Sequence, residues 1–227
     1  MRRGWWRHLL GLVTLLVVSG CDRLPGRPRP EDRPVLPAQV RAFDDLYGQN
    51  CAGCHGADGR LGAARPLNDP LYLALIDDAS LRQIIAVGVP GTAMPGFAKR
   101  GGGFLTDEQV DVLMREMRWR WGRPEQFKAL ALPTYAAAPG NIARGREAYA
   151  VFCASCHGAD GRGTPKGGSV VDRAYLSLVS DQALRSAVIA GRPDLGMPDF
   201  RSVVPGRPMS SQEISDVVAW MAAGRGP

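Results

Sequence analysis

The stretch that decides the fold is CAGCHGADGR at residues 51–60, which returns as CASCHGADGR at residues 153–162. The two copies differ at one position in ten, and the second begins 102 residues after the first. This spacing is close to the length of a small domain. We therefore predict a duplicated fold that carries one copy of the motif in each half.

Each copy of the motif holds two cysteines separated by two residues, with a histidine directly after the second cysteine. These residues are Cys51, Cys54 and His55 in the first copy and Cys153, Cys156 and His157 in the second. The pattern is that of c-type haem attachment, in which both sulfurs form thioether bonds along one porphyrin edge and the histidine reaches the iron. A disulfide or a zinc site also uses these residue types, although zinc needs four ligands in one place. The doubled motif favours two covalently attached haem c groups.

The other cysteines and histidines are few, and this limits the chemistry. Of the five cysteines only Cys21 lies outside the two motifs, and of the three histidines only His8 does. Because His8 lies in a segment that we expect to be removed, two-histidine ligation of an iron is excluded, and so is a separate catalytic histidine. The sixth ligand of each iron is then methionine, lysine, another weak donor or water, or the position stays open.

Methionine offers the best sixth ligands. Met94 lies in GTAMPGF, 39 residues after His55, and Met197 lies in DLGMPDF, 40 residues after His157. Proline after each methionine restricts the methionine backbone to extended conformations, which suits a loop that presents a thioether inward. Because both residues fall in matching Gly/Pro loops between two predicted helices, we predict Met94 and Met197 as axial iron ligands.

Other donors are weaker candidates for the sixth ligand. Met209 is a rival to Met197, but it aligns with Leu105 just before a predicted helix, and Lys99 is a rival to Met94. Methionines on apolar helix faces are usually core residues. This interpretation applies to Met114, Met117 and Met221.

Helix signals recur in the same order in both halves. A helical stretch precedes each motif, at residues 38–50 and 142–152. A second helix begins near a residue suited to N-capping, Asp77 or Ser180, and stops at a glycine. No segment alternates with the period of a strand, so we predict an all-α fold.

The third helix of each half has the clearest start. Thr106 with Gln109, and Ser210 with Glu213, form capping boxes directly before apolar residues at helical spacing. We therefore predict two tandem helical bundles, each wrapped around a haem. Their bounds are residues 38–121 and 142–227, and a linker at residues 122–141 separates them.

The N-terminal residues 1–20 have a basic start and an apolar stretch, Leu9 to Val18, as in a secretory signal. The apolar stretch is shorter than the roughly 20 residues of a membrane-spanning helix, although an uncleaved anchor beginning at Trp5 is an alternative. The letters VSGC resemble a bacterial lipobox, so we predict cleavage before Cys21 and lipidation of Cys21. An ordinary signal peptide is the other interpretation. Residues 21–37 are rich in Pro and Arg and predict an extended tether.

Composition narrows the class of protein and its partners. Hydrophobic residues make up 45% of the chain and charged residues 22%, as in an ordinary globular protein. The formal net charge is +6, and three of the positive charges, Arg2, Arg3 and Arg7, lie in the predicted signal. This modest charge does not predict a nucleic-acid partner.

After the tether the sequence resembles the class I cytochrome c family in tandem dihaem form. The resemblance implies a three-helix core around each haem, His/Met ligation and one-electron transfer. Gly145 and Tyr149 match the family's glycine and aromatic contact between first and last helices, with Trp220 as the candidate aromatic partner. The first half has Phe43 where Gly145 aligns, which predicts a wider helix crossing.

The resemblance also predicts how the histidine in the first half is oriented. Pro66 with Leu67 resembles the family's proline, whose carbonyl accepts a hydrogen bond from the iron-binding histidine. The second half has Gly168 with Ser169 at this place, so its acceptor stays open.

His/Met ligation fills the coordination sphere of iron and favours electron transfer over catalysis. With a lipid at Cys21, and Asp22 resembling an inner-membrane retention signal, we expect the periplasmic side of a bacterial inner membrane. There the protein would carry electrons between redox partner proteins, for example from a quinol-oxidising complex to a terminal oxidase. A dihaem enzyme, similar to peroxidases or thiosulfate dehydrogenases, and a gas sensor are the alternatives. The lack of a spare histidine or cysteine argues against an enzyme.

Overall fold

A computed structural model describes Gly26, Arg29 and residues 32–225 of the chain. Residues up to Gln39 belong to one compact unit, and residues from Val40 onward belong to a second. The second unit therefore contains both copies of the haem motif. We call residues 40–121 the first repeat and residues 142–225 the second repeat.

The predicted leader, residues 1–20, and the predicted lipid attachment residue Cys21 lie outside the described residues. The described part of the first unit is exposed throughout and contains a short 3-10 turn at Pro37–Gln39. Among the described residues, no helix is long and apolar enough to cross a membrane.

The two repeats have the same order of helices. The described residues of the first repeat contain five α-helices: α1 (Phe43–Asn50), α2 (Ala52–His55), α3 (Pro70–Leu75), α4 (Asp78–Val87) and α5 (Asp107–Trp121). Those of the second repeat also contain five: α6 (Ile142–Phe152), α7 (Ala154–His157), α8 (Arg173–Leu178), α9 (Asp181–Ala190) and α10 (Ser211–Ala222). Residues 32–225 contain isolated β-bridges but no strand, which confirms the all-α prediction.

The predicted helix starts are confirmed by their side-chain caps. Asp77 accepts a hydrogen bond from the third backbone N–H of α4, and Ser180 does the same for α9. Thr106 and Ser210 form complete capping boxes at the starts of α5 and α10. These caps satisfy backbone donors that the first turn of a helix leaves without partners.

Three helices differ from the sequence prediction. The first helix begins at Phe43 and not at residue 38, since Pro37–Gln39 forms a separate 3-10 turn and the backbone of Ala42 is extended. The short helices α3 and α8 were not predicted, because six residues are too few to show a helical hydrophobic period. Their signal is local: Asp69 and Asp172 cap them, and Pro70 occupies the first turn of α3.

The first and last helices of the second repeat cross at a glycine, as the resemblance implied. A Cβ atom at Gly145 would lie 2.0 Å from the carbonyl oxygen of Asp216, so the backbones of α6 and α10 meet there. The rings of Tyr149 and Trp220 lie 4.2 Å apart. Trp220 is therefore the aromatic partner of Tyr149.

In the first repeat, aromatic rings fill the space between the first and last helices. Phe43 stands where the second repeat has glycine, and its ring packs on Trp121 at 5.6 Å. Tyr47 packs on the same tryptophan at 5.3 Å. The Trp121 ring also reaches Gly59, as the Trp220 ring reaches Gly161 in the second repeat. A tryptophan at a different point of the last helix thus fills the equivalent space.

In each repeat, one arginine donates hydrogen bonds to the C-terminal end of the short helix after the motif. Arg118 on α5 donates to two carbonyl oxygens at the C-terminal end of α3. Arg225, which follows α10, donates to the two equivalent oxygens at the end of α8. Counted from the capping boxes, Arg225 lies three residues further along than Arg118. Arg118 therefore fastens the end of α3 to α5.

The linker packs onto both repeats. Leu132 and Tyr135 are partly buried and contact the hydrophobic cores of the first and the second repeat. The carbonyl oxygen of Thr134 accepts hydrogen bonds from the buried Arg185, at 3.0 and 3.1 Å. Gln182 donates to the carbonyl oxygen of Tyr135 at 2.7 Å. These contacts hold the linker, which the sequence predicted only as a domain boundary, against both repeats.

Candidate functional site

Both CxxCH motifs fold as a single helical turn, as their spacing predicts. In the first repeat, α1 ends at Asn50, and the backbone N–H of the next residue, Cys51, still donates to the Tyr47 carbonyl at 2.8 Å. The N–H of His55 then donates to the Cys51 carbonyl at 3.0 Å, so the motif forms α2. Cys153 and His157 make the equivalent bonds at 2.8 and 2.9 Å in α7.

A backbone carbonyl orients each motif histidine. Nδ1 of His55 lies 2.8 Å from the carbonyl oxygen of Arg65, and Nδ1 of His157 lies 2.7 Å from that of Gly168. Because a carbonyl oxygen only accepts, Nδ1 carries the hydrogen in both rings. In the neutral form of such a ring, Nε2 carries no hydrogen and is the nitrogen that binds a metal.

The acceptor in the first repeat differs from the prediction. We expected the carbonyl of Pro66, but the carbonyl of Arg65, one residue earlier, accepts the bond. In the second repeat, Gly168 supplies the acceptor that the sequence left open. Any residue type offers a backbone carbonyl, so the sequence carried no direct signal for either acceptor.

A tyrosine closes the motif turn in each repeat. The hydroxyl of Tyr47 donates to the carbonyl of Gly56 at 2.9 Å, and that of Tyr149 donates to Gly158 at 2.7 Å. Gly56 has a φ of +85°, and a Cβ atom there would lie 1.7 Å from the Arg60 carbonyl oxygen. The residue after the histidine must therefore be glycine in the first repeat.

The predicted methionine ligands occupy equivalent loops. Met94 lies between α4 and α5, and its carbonyl accepts from the Val89 N–H at 3.0 Å. Met197 lies between α9 and α10, and its carbonyl accepts from the Arg192 N–H at 3.0 Å. Both methionines are half-buried. The same local turn thus presents a methionine in each repeat.

The rival ligands are used differently. Met209 is 3% exposed and belongs to the core of the second repeat. Its N–H donates to the Phe200 carbonyl, just as the N–H of Leu105 donates to that of Phe97, so Met209 is the structural counterpart of Leu105. Lys99 is exposed. Met94 and Met197 therefore remain the predicted axial ligands.

The two histidines differ in exposure. His55 is 8% exposed, whereas His157 is half-buried. Burial lowers the pKa of His55, which favours the neutral imidazole. The guanidinium of Arg65, the residue whose carbonyl holds His55, lies 3.5 Å from the centroid of the Tyr72 ring. Burial lowers the pKa of Arg65. The enclosed Nε and Nη2 atoms of Arg65 have no hydrogen-bond partner.

These donors fit haem c. Each repeat supplies two cysteines on one turn, an imidazole with free Nε2 and a methionine loop, which is the donor set of His/Met cytochromes. The described residues contain no cluster of three or more His, Cys, Asp and Glu side chains arranged to hold a metal ion alone. The alternative zinc interpretation therefore finds no fourth ligand in the described part of the chain.

Comparison with known proteins gives the same family for both repeats. The family model described as "Cytochrome C oxidase, cbb3-type, subunit III" matches residues 38–115 and again residues 140–221. The CcoP subunit of the cbb3-type cytochrome c oxidase of Azospirillum sp. (strain B510) is 29% identical over 144 residues, or 59% of this chain. The cytochrome bc1 complex cytochrome c subunit of Mycobacterium bovis is 23% identical over 231 residues, which cover 97% of this chain and 78% of that protein.

A third relative has the name of an enzyme. The dihydro-heme d1 dehydrogenase of Pseudomonas aeruginosa is 40% identical over 84 residues, or 37% of this chain. The matched regions span only 16% of that dehydrogenase and 44% of the Azospirillum subunit. The family match covers well over half of this chain and both haem motifs. The protein is an all-α, tandem class I cytochrome c with covalently bound haem c, and its role is in electron transfer. The chain belongs to the cbb3-type cytochrome c oxidase subunit III family of cytochromes.

Proposed function

We propose that this protein carries single electrons between components of a bacterial respiratory chain, and that a histidine and a methionine close each haem site. One observation carries the proposal. In both repeats the histidine ring is fixed through Nδ1 by a backbone carbonyl, and a methionine occupies the same loop turn. A site closed on both sides by protein ligands leaves no position for a substrate.

The side chains have separate roles in this proposal. Cys51 and Cys54, with Cys153 and Cys156, attach the two groups, and His55 and His157 bind iron through Nε2. Bound haem c supplies a one-electron couple at its iron. Met94 and Met197 complete the coordination and raise the reduction potential. The carbonyls of Arg65 and Gly168 hold each imidazole in one orientation and increase its basicity.

We further propose that the protein works on the periplasmic side of the inner membrane, held by a lipid on Cys21. The Pro/Arg-rich segment 21–37 would tether the haem-bearing unit and leave it free to reach partners. Relatives named as subunits of a cbb3-type oxidase and of a cytochrome bc1 complex support a route from a quinol-oxidising complex toward a terminal oxidase.

The test is the visible absorption spectrum of the purified protein, oxidised and reduced, before and after addition of carbon monoxide. An electron carrier with two closed sites gives two low-spin haems whose spectra do not change with carbon monoxide. A haem that binds carbon monoxide readily has an open axial position, and this result would overturn the proposal.

A second candidate is an electron-accepting module of a periplasmic dehydrogenase. The similarity over 84 residues to a protein named dihydro-heme d1 dehydrogenase favours it. In that case the purified protein would take electrons only when a partner dehydrogenase and its substrate are present. Reduction by a quinol-oxidising complex alone, at a rate set by that complex, would favour the respiratory carrier.

A further inference from the structure

The two haem sites meet at a contact between two loops. One is the loop of residues 61–65, which follows the first motif and ends at Arg65, the residue that holds His55. The other is the loop of residues 192–197 in the second repeat, which ends at Met197. Arg192 and Asp194, here called the bridging pair, join these loops.

The hydrogen bonds of the bridging pair cross from one repeat to the other. Oδ2 of Asp194 accepts from the backbone N–H of Leu61 at 3.1 Å. Nη2 of Arg192 donates to the carbonyl of Gly62 at 3.3 Å. Arg192 also donates to both carboxylate oxygens of Asp194 at 3.0 Å, through Nε and Nη2. Two residues of the second repeat thus fix two consecutive residues of the first.

The bridging pair has a buried carboxylate and a half-buried guanidinium. The Asp194 side chain is 2% exposed and that of Arg192 is 18% exposed. The hydrogen bond from Arg192 holds the pKa of Asp194 below its ordinary range, so the carboxylate stays charged near neutral pH. Breaking a buried pair by changing one partner leaves the other charge uncompensated, which makes such a pair costly to break. An exposed ion pair would not constrain the loops in this way.

Each half of the contact is continuous with an iron ligand. The backbone N–H of Arg192 donates to the carbonyl of Met197, and the N–H of Met197 donates back to Arg192, both at 3.0 Å. In the first repeat, Ala64 next to the acceptor Arg65 donates its N–H to the Cys54 carbonyl at 2.9 Å. The bridging pair therefore ties the methionine loop of the second site to the histidine side of the first.

A second contact joins the repeats near the other methionine. The backbone N–H of Ala93, directly before Met94, donates to the carbonyl of Leu178 at the end of α8. The methionine loops of both sites therefore touch the opposite repeat. A change in one methionine loop has a direct path of hydrogen bonds to the other repeat.

We propose that Arg192 and Asp194 are positioning residues that hold the second methionine loop against the first histidine loop, and so fix the two haem sites relative to each other for electron transfer between them. This inference rests on the proposed function, since it takes Met197 and His55 as iron ligands. Its distinctive consequence is that a change in the second repeat alters the haem site of the first.

The test is Asp194→Asn, with Asp199→Asn as the matched control. Asp199 lies in the same region, pairs with Arg201 and bonds only within the second repeat, so the control makes the same charge change without touching the first repeat. The readout is the set of shifted haem-methyl proton resonances of the oxidised protein, assigned to each site with Met94→Ala and Met197→Ala. The rate of electron exchange between the two haems is measured on the same samples.

We expect Asp194→Asn to shift the resonances of the first haem, to change its reduction potential through the altered orientation of the His55 ring, and to slow inter-haem exchange severalfold. We expect Asp199→Asn to leave the first haem unchanged. Arg192→Lys keeps the charge but loses the two-pronged contact, so it should shift the same resonances and serves if Asp194→Asn does not fold.

An unchanged first haem in both bridging-pair variants, with two haems bound, would overturn the inference and leave the electron-carrier proposal intact. Binding of carbon monoxide to the wild-type protein would instead overturn the proposed function, and the cross-repeat shift could still be read. The two failures are therefore distinguishable.

Discussion

Arg82 and Arg185 hold equivalent positions in the two repeats, but their surroundings are opposite. Arg82 on α4 is partly exposed and pairs with Asp107 and Asp111, one turn apart on α5. Arg185 on α9 is fully buried. One duplicated position therefore supports a surface ion pair in the first repeat and a buried guanidinium in the second.

The partners of the buried Arg185 differ from those of Arg82. Arg185 donates to the hydroxyls of Ser211 and Ser215 at 2.8 and 2.9 Å, at the α10 positions that match the two aspartates. The linker residue Thr134 covers the guanidinium and accepts two further bonds. Burial lowers the pKa of Arg185.

The comparison shows that solvent access decides which side chains pair with an arginine at equivalent positions of the two repeats. A carboxylate is a suitable partner for arginine at the surface, where water screens both charges. Under the linker, hydroxyls and a carbonyl satisfy the guanidinium donors without adding further buried charge. The repeats thus share a geometry of contacts more than a set of residue types.

The largest expected effect tests whether the two haem sites are equivalent. Met94→Ala and Met197→Ala should each convert one haem, and only one, to a high-spin form, because each removes a predicted axial ligand. The absorption and paramagnetic NMR spectra of the oxidised protein measure this. Met209→Leu is the control, because Leu105 already occupies the equivalent position of the first repeat. This variant should leave both haems low-spin. A methionine variant with an unchanged spectrum would refute that ligand assignment.

The next prediction tests the close helix crossing at Gly145, which the second repeat has and the first does not. Gly145→Ala should lower the free energy of unfolding by about 3 kcal/mol, because the added Cβ overlaps the Asp216 carbonyl oxygen. Gly48→Ala on α1 is the control. It meets no atom within 4 Å and should raise stability by about 0.5–1 kcal/mol through helix propensity. Denaturant unfolding measures both, and similar effects of the two variants would contradict the close crossing.

The arginine comparison gives an intermediate effect. Arg185→Ala should cost about 2 kcal/mol, since it opens a cavity and removes hydrogen bonds from buried acceptors. Arg82→Ala should cost less than about 1 kcal/mol, because its ion pairs are partly exposed. Denaturant unfolding of the two variants under identical conditions measures the difference. Equal costs would show that burial under the linker does not matter.

The last prediction concerns a carboxylate that only the second repeat has. Asp216 caps the start of α6 through the Asn141 N–H and pairs with Arg144, and the first repeat has Val112 at this position. The hydrogen bond from Arg144 lowers the pKa of Asp216 below its ordinary 3.8. Asp216→Asn should cost about 1 kcal/mol at neutral pH.

The sign of its pH dependence follows from the lowered pKa. A carboxyl group with a lowered folded-state pKa stabilises the protein above its ordinary pKa, and this contribution is lost as the pH falls. The difference in stability between wild type and Asp216→Asn should therefore shrink below about pH 4. A difference that stays constant between pH 7 and pH 3 would contradict the ion pair.

Local signals in the sequence predicted much of the fold and the motif chemistry. The capping boxes at Thr106 and Ser210 and the caps at Asp77 and Ser180 lie where the sequence placed them, since a cap depends only on residues within one turn. The CxxCH turn is local in the same way.

Contacts that use the backbone or distant residues could not be predicted in this way. The carbonyls of Arg65 and Gly168 hold the histidines, but a carbonyl has no sequence signature. The bridging pair depends on how the two repeats pack. Arg118 and Arg225 both donate to carbonyl oxygens of the short helix, but they lie at different distances from the capping boxes. An alignment of the two repeats therefore does not pair them.

The packed linker bears on how the protein unfolds. Leu132 and Tyr135 contribute to both hydrophobic cores, and Thr134 covers Arg185. Opening either repeat would expose apolar surface of the other and leave a buried arginine without its acceptor. We therefore expect the two repeats to melt in one cooperative transition, and neither excised fragment to be as stable as the intact pair.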